Sequence, residues 1–253
     1  MPNETNRDKQ FDLIVIGGGP GGYLAAERAS GAGLKVALFE QRRLGGTCLN
    51  EGCIPTKTLL YAAKQYSGAL HSEIFGVHAD NVTIDHGQVL RRKSQVIDAL
   101  VAGVAGKMKK GRVTVVEAAA ALAGPGAAGG FAVSAAGEIY TATKVILAAG
   151  SVTSIPPVPG VEAALESGFV VTSRELLDIP EIPKRLVIIG GGVIGLEMAD
   201  YFATVGSQVA VAEMLDKIAG PFDAEVSDIL QKEMEQKGVS FNLGCRVTGV
   251  TPE

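Results

Sequence analysis

The sequence predicts an α/β fold in two consecutive parallel-sheet domains, and three observations carry that prediction. A short apolar strand, Asp12 to Ile16, runs into the glycine-rich turn Gly17-Gly-Gly19-Pro20-Gly-Gly22. The same design returns as Arg185 to Ile189 followed by Gly190-Gly-Gly192-Val-Ile194-Gly195. The register then holds between the copies: Gly33 and Gly206 precede a second apolar strand, and Glu40 and Glu213 close it, every pair at one constant offset. Strand, three spaced glycines, helix and terminal acid together define a βαβ unit of the Rossmann-like type, and the chain holds two.

This combination is a dinucleotide fingerprint. Its glycines permit the tight turn and the approach of backbone to a pyrophosphate, the helix N-terminus favours that anion, and the acid accepts hydrogen bonds from a ribose diol. A carboxylate at Glu213 repels a 2′-phosphate, and no arginine follows at once in Glu213-Met-Leu-Asp-Lys217, so the second unit is expected to prefer NAD to NADP.

Between the two units lies a segment of different character. From Gly45 to Lys57 the chain reads Gly-Gly46-Thr47-Cys48-Leu-Asn-Glu-Gly-Cys53-Ile-Pro-Thr-Lys57, which holds two of its three cysteines. A bridge across so short a loop removes little entropy from the unfolded chain, so the pair reads as redox-active rather than structural. The thiolate is the reactive form, and a free cysteine with a pKa of about 8.5 is mostly protonated at neutral pH, so a base or cation must favour the charged form. A zinc site would need a second pair, whereas Cys245 stands alone in an expected strand as a packing residue.

The remaining elements follow from periodicity. Thr56 to Ser67 and Gly87 to Lys110 read as helices. Arg112–Glu117, Gly130–Ser134 and Glu138–Ala142 read as a three-stranded meander feeding back into the first sheet through a separate apolar strand, Lys144–Ala148, that ends at Ala149-Gly150-Ser151. Pro156-Pro-Val-Pro159 is an extended linker, so the first domain is expected over 1–155 and the second over 156–253. Thr172 to Asp178 begins like a capped helix. After the second βαβ unit come a helix, Asp223 to Lys237, a strand, Ser240 to Leu243, and another near Arg246 to Val250, so the second domain starts its own meander without a return strand.

Composition agrees with this class. Hydrophobic residues make up 47%, charged residues 20%, and there are 33 glycines, as suits parallel strands buried on both faces. A chain of 253 residues buries roughly 70–75% of its unfolded surface, enough for a sizeable core. The net charge of −4 argues against a nucleic-acid partner, and Arg91-Arg-Lys93 and Lys107 to Lys110 read as solvated helix faces. The polar start, Met1 to Gln10, lacks the apolar core of a secretory signal, and the longest uncharged stretch, Ala118 to Gly137, reads as strands and a loop rather than a membrane helix. A cytoplasmic protein without a membrane partner is expected. His71, His78 and His86 lack metal or triad spacing and read as surface or packing residues. No metal site is expected.

The cysteine segment, Gly190 to Glu197 and the Ala149-Gly150-Ser151 turn together resemble the pyridine nucleotide-disulfide oxidoreductases and, within them, the dihydrolipoyl dehydrogenases. The resemblance covers the whole chain but about the first half of a family member. It implies FAD at the first fingerprint, on Gly17, Gly19, Pro20, Gly22 and Glu40 with Gly46, Thr47, Lys57 and Ala149-Gly150-Ser151. It implies NAD at the second, on Gly190, Gly192, Ile194, Gly195 and Glu213.

The same resemblance makes Cys48 the thiol that exchanges with dihydrolipoamide and Cys53 the one against the flavin, with Lys57 near the flavin ring and paired with Glu197. The implied reaction is oxidation of dihydrolipoamide, borne on a protein of a 2-oxo acid dehydrogenase or glycine cleavage complex, with NAD as final acceptor, in a homodimer. The family's histidine base belongs to a C-terminal interface domain that this sequence does not contain, and Ala149 stands where relatives often have threonine. Two alternatives accompany this reading: a non-catalytic FAD- or NAD-binding module, and a reductase of another disulfide or of mercuric ion.

Overall fold

The computed structural model describes residues 9–126 and 129–251, so most of the polar start read above lies outside the described residues. In chain order the elements are β1 (Gln10–Ile16), α1 (Pro20–Gly31), β2 (Val36–Phe39), α2 (Gly46–Glu51), α3 (Cys53–Leu70), α4 (His86–Lys110), β3 (Thr114–Val116), β4 (Ala120–Pro125), β5 (Phe131–Ala135) and β6 (Glu138–Leu147). There follow α5 (Val161–Glu166), α6 (Ser173–Leu176), β7 (Arg185–Ile189), α7 (Val193–Thr204), β8 (Gln208–Ala212), α8 (Ala224–Gln236) and β9 (Ser240–Asn242). Two compact units result: Met1–Ile54 with Gln95–Val152, and Pro55–Ser94 with Thr153–Glu253. Among the described residues no helix is long and apolar enough to cross a membrane.

In the first unit one sheet runs in the order β3-β2-β1-β6-β5-β4. Alternation along its strands explains the unbroken apolar runs. Leu13 and Val15 of β1 and Val36 and Leu38 of β2 face Ala26 of α1 and Met108 of α4, while Ile14, Ile16, Ala37 and Phe39 face the meander residues Val133, Ala135 and Ala142. Both faces of the parallel part are therefore covered, and polar residues have no place there. Tyr140 stands edge-on to Phe39, with ring centroids 4.9 Å apart.

The meander differs from the sequence expectation in two respects. The strand expected over 112–117 became β3, which pairs parallel with β2 at the sheet edge and takes no part in the meander. Its place is taken by β4, an alanine- and glycine-rich strand whose composition gives a weak strand signal and which is held by antiparallel pairing with β5. The two strands expected on either side of Thr143 are one continuous strand. Residues 138–142 of β6 pair with β5 and residues 141–147 pair with β1, and the Thr143 hydroxyl donates to the Asp12 carbonyl at 2.7 Å.

In the second unit β7, β8 and β9 form an all-parallel sheet in that order. Leu196, Ala199 and Phe202 of α7 pack with Val209 and Val211 of β8, Leu59 and Ala63 of α3 and Met234 of α8 in one core. The segment Arg246–Val250, expected as a strand, has no regular structure. The Val250 N–H donates to the Pro159 carbonyl at 2.9 Å, close against Gly160, whose φ is +83°. Thr172 and Glu175 form a capping box at α6, and the Thr172 hydroxyl holds the Glu175 carboxyl below its ordinary range. Strand β1 has a neighbour on each side, whereas among the described residues β7 pairs on the β8 side alone, with Val187 and Ile189 exposed.

His86 and Lys93 are among the polar side chains buried in this unit. His86 joins the Tyr201 hydroxyl to the Ile179 carbonyl at 2.8 and 2.9 Å, as a packing histidine should. Lys93, read above as part of a solvated face, is 2% exposed, and its ammonium meets the Leu177 carbonyl and Asp178. Its charge is tolerated in the interior because both partners are acceptors. Desolvation pushes the Tyr201 phenol from 10.0 up to about 12, so between those values the unfolded chain ionises and the native one does not. Stability from this group is complete below about pH 10 and falls as pH rises beyond it. Tyr201→Phe is expected to flatten that alkaline limb when urea midpoints are compared between pH 9 and 11.

Candidate functional site

Each unit builds a cradle at the C-terminal end of its first strand, and the two share the same backbone hydrogen bonds. The first fingerprint glycine is left-handed in both, Gly17 at φ +107° and Gly190 at φ +104°, and its N–H donates to the end of the second strand, at Phe39 and Ala212. Gly19 and Gly192 cap α1 and α7 with extended backbone. A Cβ on Gly22 would lie 1.7 Å from the Gly17 carbonyl oxygen, and one on Gly195 would lie 2.4 Å from that of Gly190, so only glycine lets the helix start this close to the strand.

The terminal acids are fixed in the same way. Glu40 accepts from the Gly18 and Arg42 N–H groups, both at 2.8 Å. Glu213 accepts from Gly191 at 2.6 Å and Leu215 at 2.8 Å. Each carboxylate is thus held in one rotamer while its oxygens keep lone pairs for further donors such as ribose hydroxyls. Space around Gly192 is open, with nothing within 4 Å of an added Cβ. Helix N-terminus, close backbone and anchored acid together fit a dinucleotide in each unit.

A second loop closes over each cradle. The Gly45 N–H donates to the Gly18 carbonyl at 2.8 Å, and the Ala219 N–H donates to the Gly191 carbonyl at the same distance. Gly45 is left-handed, and so is Ala219 at φ +59°, although alanine disfavours that region. Ala219→Gly is expected to raise stability by about 1 kcal/mol through relief of that strain, read as a higher denaturant midpoint.

In the first unit this loop leads directly into the cysteines. A Cβ on Gly46 would sit 2.5 Å from the Gly19 Cα, so α2 begins against the fingerprint loop. Cys48 lies on α2 and is half-buried, while Cys53 opens α3 and is exposed. On a straight helix residues five apart point about 140° away from each other. The break at Gly52, with φ −144° and ψ −107°, removes that constraint, and a Cβ there would stand 3.0 Å from the Thr47 carbonyl. Pro55 is accommodated because it falls in the first turn of α3.

The other expected residues distribute as follows. In the second unit the Lys57 ammonium pairs with the Glu197 carboxylate, joining α3 to α7. Lys57 is one turn beyond Cys53 on the same helix. Ala149 follows the end of β6 beside Gly17, whose added Cβ would lie 2.0 Å from the Ala148 carbonyl oxygen and 3.1 Å from the Ala149 nitrogen. Gly150 is left-handed, and Gly150, Ser151 and Thr47 are exposed. Pro20 occupies the first position of α1 and Ile194 the first turn of α7. Cys245, expected to pack in a strand, is exposed in an irregular segment where its N–H bonds the Glu213 carbonyl.

Residues 11–253 match the family described as Pyridine nucleotide-disulphide oxidoreductase. The chain belongs to that family. It is 42% identical over 243 residues to a dihydrolipoyl dehydrogenase of Acholeplasma laidlawii, covering 96% of this chain and 71% of that one. The dihydrolipoyl dehydrogenases of Mycoplasma pneumoniae and Bacillus subtilis are each 38% identical, with 94% of this chain and 51% of theirs covered. Among solved structures, the Cu(II) complex of the HOCl-induced flavoprotein disulfide reductase RclA from Escherichia coli aligns with a TM-score of 0.80 at 28% identity, over 95% of this chain and 50% of that chain. The chain thus spans about half the length of most of these relatives. Family membership and the two-unit α/β class agree with the sequence analysis.

Sequence reasoning passed over the middle glycines, Gly18 and Gly191, which are held through both N–H and carbonyl. The signal was available, because each fingerprint reads Gly-Gly-Gly. It also passed over Arg42 and Glu51, whose ion pair ties the turn after β2 to α2, and over Asn50. Composition gives no hint of those pairings.

Proposed function

We propose that this chain forms the nucleotide- and disulfide-bearing part of a dihydrolipoyl dehydrogenase, with FAD in the first cradle and NAD in the second. The observation that carries the reading is the close approach of Gly46 to Gly19, which starts the cysteine-bearing helix on the pyrophosphate loop of the first cradle. In the reaction, one thiolate of dihydrolipoamide attacks the Cys48–Cys53 disulfide at Cys48. The second thiol then closes the lipoyl disulfide and leaves Cys48 and Cys53 as a dithiol. FAD held on Gly17, Gly19, Gly22 and Glu40 would supply a two-electron acceptor beside that dithiol, and NAD held on Gly190, Gly192, Gly195 and Glu213 would supply the final hydride acceptor. Lys57, held by Glu197, stands one turn after Cys53 on α3.

Glu213 supports NAD over NADP by repelling a 2′-phosphate. A cytoplasmic setting goes with this reading, since a reducing compartment keeps a pair used for thiol exchange from serving as a permanent structural bridge. A lipoyl-bearing protein as electron donor belongs to the same proposal, supported by the relatives' dihydrolipoyl dehydrogenase descriptions, and a homodimer is proposed as the working assembly.

The test is an anaerobic visible spectrum of the 253-residue chain after incubation with FAD, before and after one equivalent of dihydrolipoamide. Retained flavin bands that gain a long-wavelength shoulder support the proposal. A chain that retains FAD but does not respond to the dithiol is a nucleotide-binding module, and one that retains none leaves the first cradle without its assigned ligand.

A further inference from the structure

We infer that Asn50 is the positioning residue of the cysteine pair, holding the helix that carries Cys48 onto the first fingerprint loop and so setting how readily Cys48 and Cys53 form a disulfide. This rests on the reading of the pair as redox-active. Asn50 lies between the cysteines, near the end of α2. Its side-chain N–H₂ donates to two carbonyls, that of Leu44 at 3.0 Å and that of Gly46 at 2.9 Å. Those carbonyls bracket Gly45, the left-handed residue whose N–H donates to Gly18.

Fingerprint loop, Gly45 and α2 are thereby stitched into one piece through a single amide. Two acceptors facing one nitrogen also fix the flip of that amide, because its oxygen cannot replace the nitrogen there. The remaining atom, Oδ1, is buried with no hydrogen-bond partner. A buried amide in that state is costly to keep, which is understandable where its other end performs a positioning task.

Disulfide closure needs the two Cβ atoms within a narrow distance, so the equilibrium measures how tightly Cys48 is held near Cys53. Release of the Gly45 loop lets α2 fray and lowers that effective concentration. The change registers in thiol exchange, in which Cys48, Cys53 and oxidised glutathione give the protein disulfide and two reduced glutathiones.

The experiment equilibrates the 253-residue chain with glutathione buffers of varied ratio and counts alkylated thiols by mass. The expected result is a disulfide constant lowered about tenfold in Asn50→Ala, as the loss of two hydrogen bonds implies. Near-isosteric Asn50→Asp adds a readout that general loss of fold would not give. Its carboxylate turns an acceptor towards both carbonyls at neutral pH and regains one donor when protonated, so its deficit relative to wild type should shrink as pH falls from 7 towards 5. Equal constants in wild type and both variants overturn the inference while leaving the redox pair intact. A pH-independent deficit in Asn50→Asp also overturns it, and absence of any exchange in the wild type overturns the pair's redox reading together with it.

Discussion

Gly22→Ala is expected to destabilise the first unit by about 3 kcal/mol or more and to abolish FAD retention. The added methyl would stand 1.7 Å from the Gly17 carbonyl oxygen, a backbone atom that cannot swing aside, so the helix must retreat from the strand. Ordinary overpacking costs about 1–3 kcal/mol, and this overlap is worse than ordinary. Since whole domains are stable by only about 5–15 kcal/mol, the loss reads directly as a lower melting temperature. Gly103→Ala provides the contrast, because that glycine lies within α4 with nothing within 4 Å of an added Cβ. It should gain about 0.5–1 kcal/mol from helix propensity. Equal melting temperatures for Gly22→Ala and wild type would show that the strand-to-helix approach is not as tight as described.

Cys48→Ser and Cys53→Ser are each expected to lower dihydrolipoamide-dependent electron transfer by at least about a thousandfold, because a single thiol cannot close a protein disulfide. Nucleotide binding should survive both changes, since no fingerprint glycine or acid is touched. Cys245→Ser should leave the rate unchanged, that thiol being exposed on an irregular segment of the second unit. Stopped-flow reduction of the FAD-loaded protein separates the outcomes. A Cys53→Ser protein reduced at the wild-type rate would remove this cysteine from the electron path.

Both cradles were legible in the sequence because their chemistry demands glycine at set spacings and an acid at a strand end, and no other residues meet those demands. The parallel strands were legible for a related reason: burial on both faces leaves an unbroken apolar run, as in Leu13 to Ile16. The meander was harder. Strand β4 is built from three alanines, one leucine, one glycine and a terminal proline, and tertiary pairing with β5 rather than propensity makes it a strand. Lys93 shows the opposite failure, since a basic residue that follows two others looks solvated in sequence, whereas the carbonyl and carboxylate that receive it come from residues far along the chain. Pairings such as Asn50 with Leu44 depend on left-handed turns that composition alone does not reveal.

Glycine angles, anchored acids and closing loops correspond between the two cradles. They differ in the crossover to the third strand: between β8 and β9 the chain spends a single long helix, α8, whereas between β2 and β3 it places α2 and α3 before α4. Both cysteines and Lys57 fall within that stretch. A nucleotide cradle is thus present in both units, whereas the cysteine pair depends on the longer connection that the first cradle alone carries.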